Sequence, residues 1–150
     1  MARAVILYDG VCVFCNWVVR LVLRHDADGR FRFAPLQSDY AAAALARHGR
    51  AAADLDTVSL LLDADGPDEH LLIKSDAVLA ILRGLGGLWR LPALARFIPR
   101  RWRDAAYLAF ARRRYRWFGR LDACPIPSPE LRARLAAASV DSAPAVVRSA

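Results

Sequence analysis

Two thiols three positions apart, Cys12 and Cys15, lie near the start of the chain in the stretch Asp9-Gly10-Val11-Cys12-Val13-Phe14-Cys15. At that spacing on a helix start, two sulfurs can come close enough to bond. The unpaired amides and the positive end of the dipole at a helix N-terminus favour a thiolate. Cys-X-X-Cys pairs so placed can have one thiol lowered to roughly 3.5–7.5, and the thiolate is the attacking species in exchange. The chemistry this arrangement suggests is dithiol–disulfide exchange with no bound cofactor.

The flanking residues supply that helix start. The apolar run 4–8 (Ala-Val-Ile-Leu-Tyr), cut by Asp9-Gly10, reads as a buried strand and a turn. From about Val13 to His25 the pattern is helical. Asn16, Arg20 and Arg24 form a narrow polar stripe, and Trp17, Val18, Val19, Leu21, Val22 and Leu23 fill the remaining circumference, so the helix is expected to be largely buried. Cys12 projects along the polar stripe and is the expected accessible nucleophile, which forms a mixed disulfide with substrate. Cys15, in register with Val18, Val19 and Val22, is the expected buried thiol that resolves it. A reductant must then reopen the Cys12–Cys15 disulfide.

Other readings of the same residues stand beside this one. Zinc knuckles share the spacing; Cys124 is then a third ligand and His25, His48 or His70 a fourth, although no second paired-ligand motif exists. A close pair can also be inert core cysteines. Cys124 is a candidate second resolving thiol or glutathionylation site, or a small buried hydrophobe. Asp9 is a candidate proton acceptor or loop-fixing group, or an ordinary Asp-Gly turn residue. Left unpaired, its carboxylate would raise the pKa of Cys12.

Beyond the first helix, Arg30–Ala34 alternates as a strand does, and Pro35 ends it or sets it near an edge. Ser38 and Asp39 can cap an alanine-rich helix that closes at Gly49. Thr57–Leu62 and His70–Lys74 flank Asp63-Ala64-Asp65-Gly66-Pro67 and predict an antiparallel hairpin. Ser75 can cap the next helix, whose apolar face is Val78, Leu79, Ile81 and Leu82. The order strand, helix, strand, helix, strand, strand, helix is that of the thioredoxin core and predicts an α/β domain with helices on a mixed sheet. After Gly86-Gly87 a helical extension is expected: a short helix over Leu88–Ile98 broken at Pro92, then a long one over Arg101–Phe118. Trp102, Ala106, Phe110 and Trp117 are available there for packing. A loop holding Cys124 follows, and then a last helix opened by Ser128-Pro129-Glu130. The expected organisation is one domain over 1–138, with the core at about 4–86, the extension at about 87–138, and a disordered tail over 139–150.

Composition bounds the partners. The chain has 150 residues, 56% of them hydrophobic, which suffices for a core without disulfide staples. No secretory signal and no apolar run of the roughly 18 residues a membrane span needs is visible, so a cytoplasmic protein is expected. In a reducing compartment a close Cys pair is more often catalytic or metal-binding than structural. The net charge of +7 is concentrated between Arg96 and Arg120, where nine arginines face only Asp104. That region can meet nucleic acid, an anionic membrane or an acidic partner, or be the solvated face of a helix. No nucleic-acid fold motif accompanies Trp89, Trp102 and Trp117, and no nucleic-acid partner is expected.

The stretch Tyr8–Cys15 resembles the signature of the DCC family of predicted thiol-disulfide oxidoreductases. Further matches follow at Phe33-Ala34-Pro35-Leu36-Gln37-Ser38 and Lys74-Ser75-Asp76-Ala77-Val78. Others are Ile98-Pro99, Arg103-Asp104-Ala105-Ala106-Tyr107, and Arg114-Tyr115-Arg116-Trp117-Phe118-Gly119 leading to Cys124. The resemblance spans about residues 4–125. It implies a thioredoxin-like fold, a redox role for Cys12 and Cys15, and a protein or small-molecule thiol or disulfide as substrate, glutathione among them. In glutaredoxin-like and glutathione-transferase-like relatives of this fold, the helix start corresponding to Ser75-Asp76 binds a glutathione carboxylate, as free amides there can; an ordinary cap is the alternative. Thioredoxins place a cis-proline beside the disulfide. Here the corresponding place reads Leu55-Asp56-Thr57-Val58, which puts Thr57 opposite the cysteines. A redox-inert adaptor that works through the basic helix is the rival from another class.

Overall fold

The computed structural model describes residues 4–51, 58–122 and 128–135. In chain order it contains β1 (Ala4–Tyr8), α1 (Val13–His25), β2 (Phe31–Pro35), α2 (Asp39–Arg47), β3 (Ser59–Leu62), β4 (His70–Ile73), α3 (Lys74–Leu85), α4 (Arg100–Phe118) and α5 (Pro129–Ala133). Two 3-10 turns, Gly87–Arg90 and Pro92–Phe97, link α3 to α4.

β1 is a continuous apolar run because it lies inside the sheet and is covered on both faces. The strand order is β2-β1-β3-β4. β2 runs parallel to β1, with Ala4 opposite Phe31 and Tyr8 opposite Pro35; β3 is antiparallel to β1, and β4 to β3. Pro35 is tolerated because β2 is an edge strand. Alternation along β1 splits the core in two. Ala4, Ile6 and Tyr8 pack with Val19 and Val22 of α1 and Ala77 and Ile81 of α3. Val5 and Leu7 pack with Ala41, Ala44 and Leu45 of α2. This four-stranded mixed sheet between helices is consistent with a thioredoxin-like fold.

Local chemistry fixes the ends of these elements. Ser38 caps α2 by accepting from the Ala41 N–H at 3.2 Å, and Ser128 caps α5 through the Leu131 N–H at 3.3 Å. α3 crosses β2 so closely that a Cβ at Gly84 would lie 2.5 Å from the Phe31 ring, so only glycine fits.

The helices after the hairpin depart from expectation. α3 begins at Lys74, and its cap position, Ile73, makes no side-chain bond; Ser75 lies inside the helix and turns to α4 instead. Its buried face is Ser75, Ala77 and Ile81, with Val78, Leu79 and Leu82 half-buried. α1 buries only Cys15, Val19 and Val22 and leaves Trp17 exposed, because the sheet covers one stripe of it and α4 only part of the rest. Along α4, Trp102, Ala106 and Trp117 face solvent while Phe110 packs. The expected solvated arginine face has exceptions: Arg114 is buried, and the Arg103 side chain is largely covered against Asp76. Thr57, Cys124 and the tail 139–150 lie outside the described residues. Among the described residues, no helix is long and apolar enough to cross a membrane.

Candidate active site

The backbone leaves β1, turns through a Cys12 N–H to Asp9 carbonyl bond of 3.2 Å, and enters α1 with Cys12 as its cap. Cys12 has extended backbone, and its Sγ accepts from the Cys15 N–H at 3.3 Å. The sulfur thus takes the place a Ser or Asp oxygen usually fills at a helix start. No acidic residue stands in the first turn of α1 to compete with a negative charge there. Asn16 Nδ2 ties the turn down by donating to the carbonyls of Gly10, at 2.8 Å, and Cys12, at 2.9 Å.

The two thiols are driven apart in acidity. A hydrogen bond from the Cys15 thiol lowers Cys12 most; burial opposes it, the Cys15 N–H and the Arg114 charge assist, and Cys12 falls to about 6. That same hydrogen bond, burial and the negative charge on Cys12 push Cys15 well above the usual thiol range. Near neutral pH the pair is therefore one thiolate and one thiol. The accessory charges come from a network around Asp9. Arg114 Nη2 pairs with Asp9 Oδ2 at 3.2 Å, and the Tyr115 hydroxyl donates to the same oxygen. Gln37 Nε2, at 2.9 Å, and the Val11 N–H, at 3.1 Å, donate to Oδ1. Burial works against ionisation of Asp9, but these partners outweigh it and hold its carboxyl below the usual range. Asp9 is therefore a paired anion whose effect on Cys12 is countered by Arg114.

Access does not follow the helical phase. Cys12 is 0% exposed and Cys15 4%, so the expectation of an accessible Cys12 is corrected. The reason lies in the chain leaving α4. Gly119, at φ 89°, turns it back; Arg120 then bridges to Cys12, and the Leu121 N–H donates to the Val11 carbonyl at 2.7 Å. Phe14, between the cysteines, packs with Phe110 and Phe118, each 4.9 Å away between ring centroids. Cys15 faces an apolar cavity of about 160 Å³ shared with Val18, Ile81, Leu82 and Phe110.

Other candidate residues fall elsewhere. The Ser75 hydroxyl donates to the Asp104 carboxylate, and Asp76 pairs with Arg100 at 3.0 Å and Arg103 at 3.2 Å. Both residues are thus engaged with α4. Val58, which follows Thr57, donates its N–H to the Tyr107 hydroxyl at 3.1 Å. His25 bonds the Leu21 carbonyl, His48 the Glu69 carboxylate and His70 the Glu69 carbonyl. Among the described residues no three His, Cys, Asp or Glu side chains are grouped as a metal site requires.

Reading the sequence missed Arg114, Tyr115 and Gln37 as site residues. A signal for Arg114 existed: Tyr107, Phe110, Ala111 and Arg114 recur at helical spacing, which puts this arginine on the apolar side of α4.

Comparison with known proteins places the chain among relatives. The uncharacterized protein YuxK of Bacillus subtilis is 35% identical over 130 residues, covering 87% of this chain and 91% of that protein. A DCC family protein of Arabidopsis thaliana, named as chloroplastic, is 38% identical over 127 residues, covering 83% of this chain and 70% of its own. No solved structure matches. A family model described as DCC1-like thiol-disulfide oxidoreductase matches residues 6–120, from within β1 through the cysteine pair and all of α4, and the chain belongs to that family.

Proposed function

We propose that the protein is a thiol-disulfide exchange enzyme of thioredoxin-like fold in which Cys12 attacks and Cys15 resolves. One observation carries this reading: Cys12 Sγ caps α1 and accepts from the Cys15 N–H at 3.3 Å, a position that suits a thiolate and adds to the hydrogen bond from the Cys15 thiol. In the first step the Cys12 thiolate attacks one sulfur of a substrate disulfide. A Cys12–substrate S–S bond forms, the substrate S–S bond breaks, and the other substrate sulfur leaves as a thiolate. Cys15 then gives its proton to the departing sulfur and attacks Cys12 Sγ. The Cys12–Cys15 disulfide forms and the second substrate sulfur is released. Two electrons pass to the substrate, and an external dithiol or two thiols return them.

The apolar surroundings of Cys15 support its role, since it keeps its proton until the mixed disulfide removes the neighbouring charge. Asp9 and Arg114 act as positioning residues for the turn and its charge. The working unit is the domain over 1–138, acting in the cytoplasm without a bound cofactor, on a protein or small-molecule thiol or disulfide, glutathione among them. Thr57 and Cys124 are proposed as supporting groups. Ser75 and Asp76 serve as an anion site only if Asp104 gives way. Because Cys12 is covered, productive encounter requires the 119–121 strap and the Phe14–Phe118 contact to part.

The test is trapping with a peptide–glutathione mixed disulfide. Cys15→Ser accumulates an adduct on Cys12, and Cys12→Ser forms none and does not turn over. An adduct on Cys15, or turnover surviving in Cys12→Ser, contradicts the assigned roles.

A further inference from the structure

The link between α3 and α4 carries a surface that the redox site does not use. Residues 88–103 hold five arginines and no Asp or Glu. Side chains three apart eclipse one another in 3-10 geometry, and Leu88, Leu91, Leu94 and Phe97 recur at that spacing through the two turns. They form one outward ridge: Leu88 is 82% exposed and Phe97 73%, with Leu91 and Leu94 also exposed. Ile98 and Trp102, the latter 67% exposed, extend it to the start of α4. The ridge is not loose chain. Ala93 is buried beneath it, and Trp89 packs edge-on against His25 with centroids 5.0 Å apart.

A contiguous apolar surface is unfavourable in water and marks something that covers it. Its rim identifies the cover. Arg90, Arg96 and Arg101 are exposed around the ridge, with the Arg96 guanidinium 4.9 Å from the Phe97 ring centroid. Arg100 and Arg103 satisfy Asp76, the nearest acid on α3. Leucine, phenylalanine and tryptophan rimmed by arginine is the composition of segments that lie in a bilayer interface. We propose that this ridge seats the protein on an anionic lipid bilayer, with Leu88, Leu91, Leu94, Phe97 and Trp102 among the acyl chains and Arg90, Arg96 and Arg101 at the headgroups. Aliphatic side chains offer base edges little, which disfavours nucleic acid.

The test uses the full chain with vesicles of phosphatidylcholine alone and of an equal mixture with phosphatidylglycerol. Sedimentation and tryptophan fluorescence are the readouts. The protein partitions onto the anionic vesicles, and raising the salt releases it. Arg96→Gln and Arg101→Gln each weaken partitioning about fivefold, and Leu94→Ser with Phe97→Ser weakens it by about tenfold or more. All four side chains are exposed, so thermal unfolding and the Cys12 titration stay as in the parent and serve as folding controls. Absence of partitioning at low salt overturns the proposal, as does equal partitioning of the variants. Self-association that the Leu94→Ser, Phe97→Ser variant abolishes, without vesicle binding, also overturns it and assigns the ridge to a second copy. No outcome depends on turnover, so failure of the exchange chemistry would leave the vesicle result intact.

Discussion

Replacing Cys15 by alanine removes the donor that does most to hold Cys12 low, while serine keeps an O–H in its place. In the native dithiol Cys12 titrates at about 6 instead of 9.0. At about 1.4 kcal/mol per unit, the folded environment favours its thiolate by about 4 kcal/mol. The sign follows: the Cys12 contribution grows as pH rises from 6 toward the unfolded thiol value and is lost as pH falls through 6, while the raised Cys15 thiol works against it above the unfolded thiol value. Near pH 7 about nine-tenths of native Cys12 is thiolate; at the ordinary value it would be about one-hundredth. Cys15→Ala therefore raises the Cys12 midpoint by at least about one unit, and Cys15→Ser leaves it within about one unit of native. Rate at a single pH is a poor readout. A rise of about two units costs about tenfold in thiolate at pH 7, yet the more basic sulfur regains most of that in nucleophilicity, with a Brønsted slope of about 0.4–0.5. The assay is the ultraviolet absorbance of the thiolate against pH, with Cys12→Ser subtracted, and alkylation mapped by mass spectrometry. A native midpoint near the ordinary thiol value, or equal midpoints for Cys15→Ala and Cys15→Ser, refutes the reasoning.

The Asp9–Arg114 pair should move the same titration in opposite directions. Arg114→Gln leaves the buried Asp9 carboxylate without its counter-charge, lowers stability by about 3–5 kcal/mol and raises the Cys12 midpoint, as read by urea unfolding and the thiolate titration. Asp9→Asn lowers that midpoint by removing the opposing charge. The native Asp9 carboxyl is held low, so its contribution is present above the unfolded carboxylate pKa and lost as pH falls through the folded value. The stability gap between native protein and Asp9→Asn therefore narrows in acid, measured by urea unfolding across pH.

Local patterns carried most of the core and half of the site. The run 4–8, the Ser38 cap and the 63–67 turn each depend on residues adjacent in sequence, and each leads to the element seen. The cysteine pair was legible for the same reason, since a strand–turn–helix start is local. What covers the pair was not. Helical phase on α1 assigns Cys12 to a polar stripe, but the 119–121 strap and Phe118 arrive from more than 100 residues away. Arg114 was hidden for a related reason: an Arg-Arg-Arg run reads as solvated face until a buried Asp9 is known to lie opposite its third member. Ser75 shows the limit of capping logic. A serine at a helix start suits a cap, yet an acceptor on another helix, Asp104, claims its hydroxyl.

Dithiol–disulfide exchange requires that Cys12 and Cys15 take up and release electrons as a pair. The measurement is equilibration of the metal-stripped protein across thiol–disulfide buffers, with alkylation trapping and mass mapping at each poise. The expected result is a reversible two-electron transition between dithiol and Cys12–Cys15 disulfide within the range of known exchange proteins, about −120 to −270 mV. No Cys12–Cys15 disulfide at any poise would contradict it.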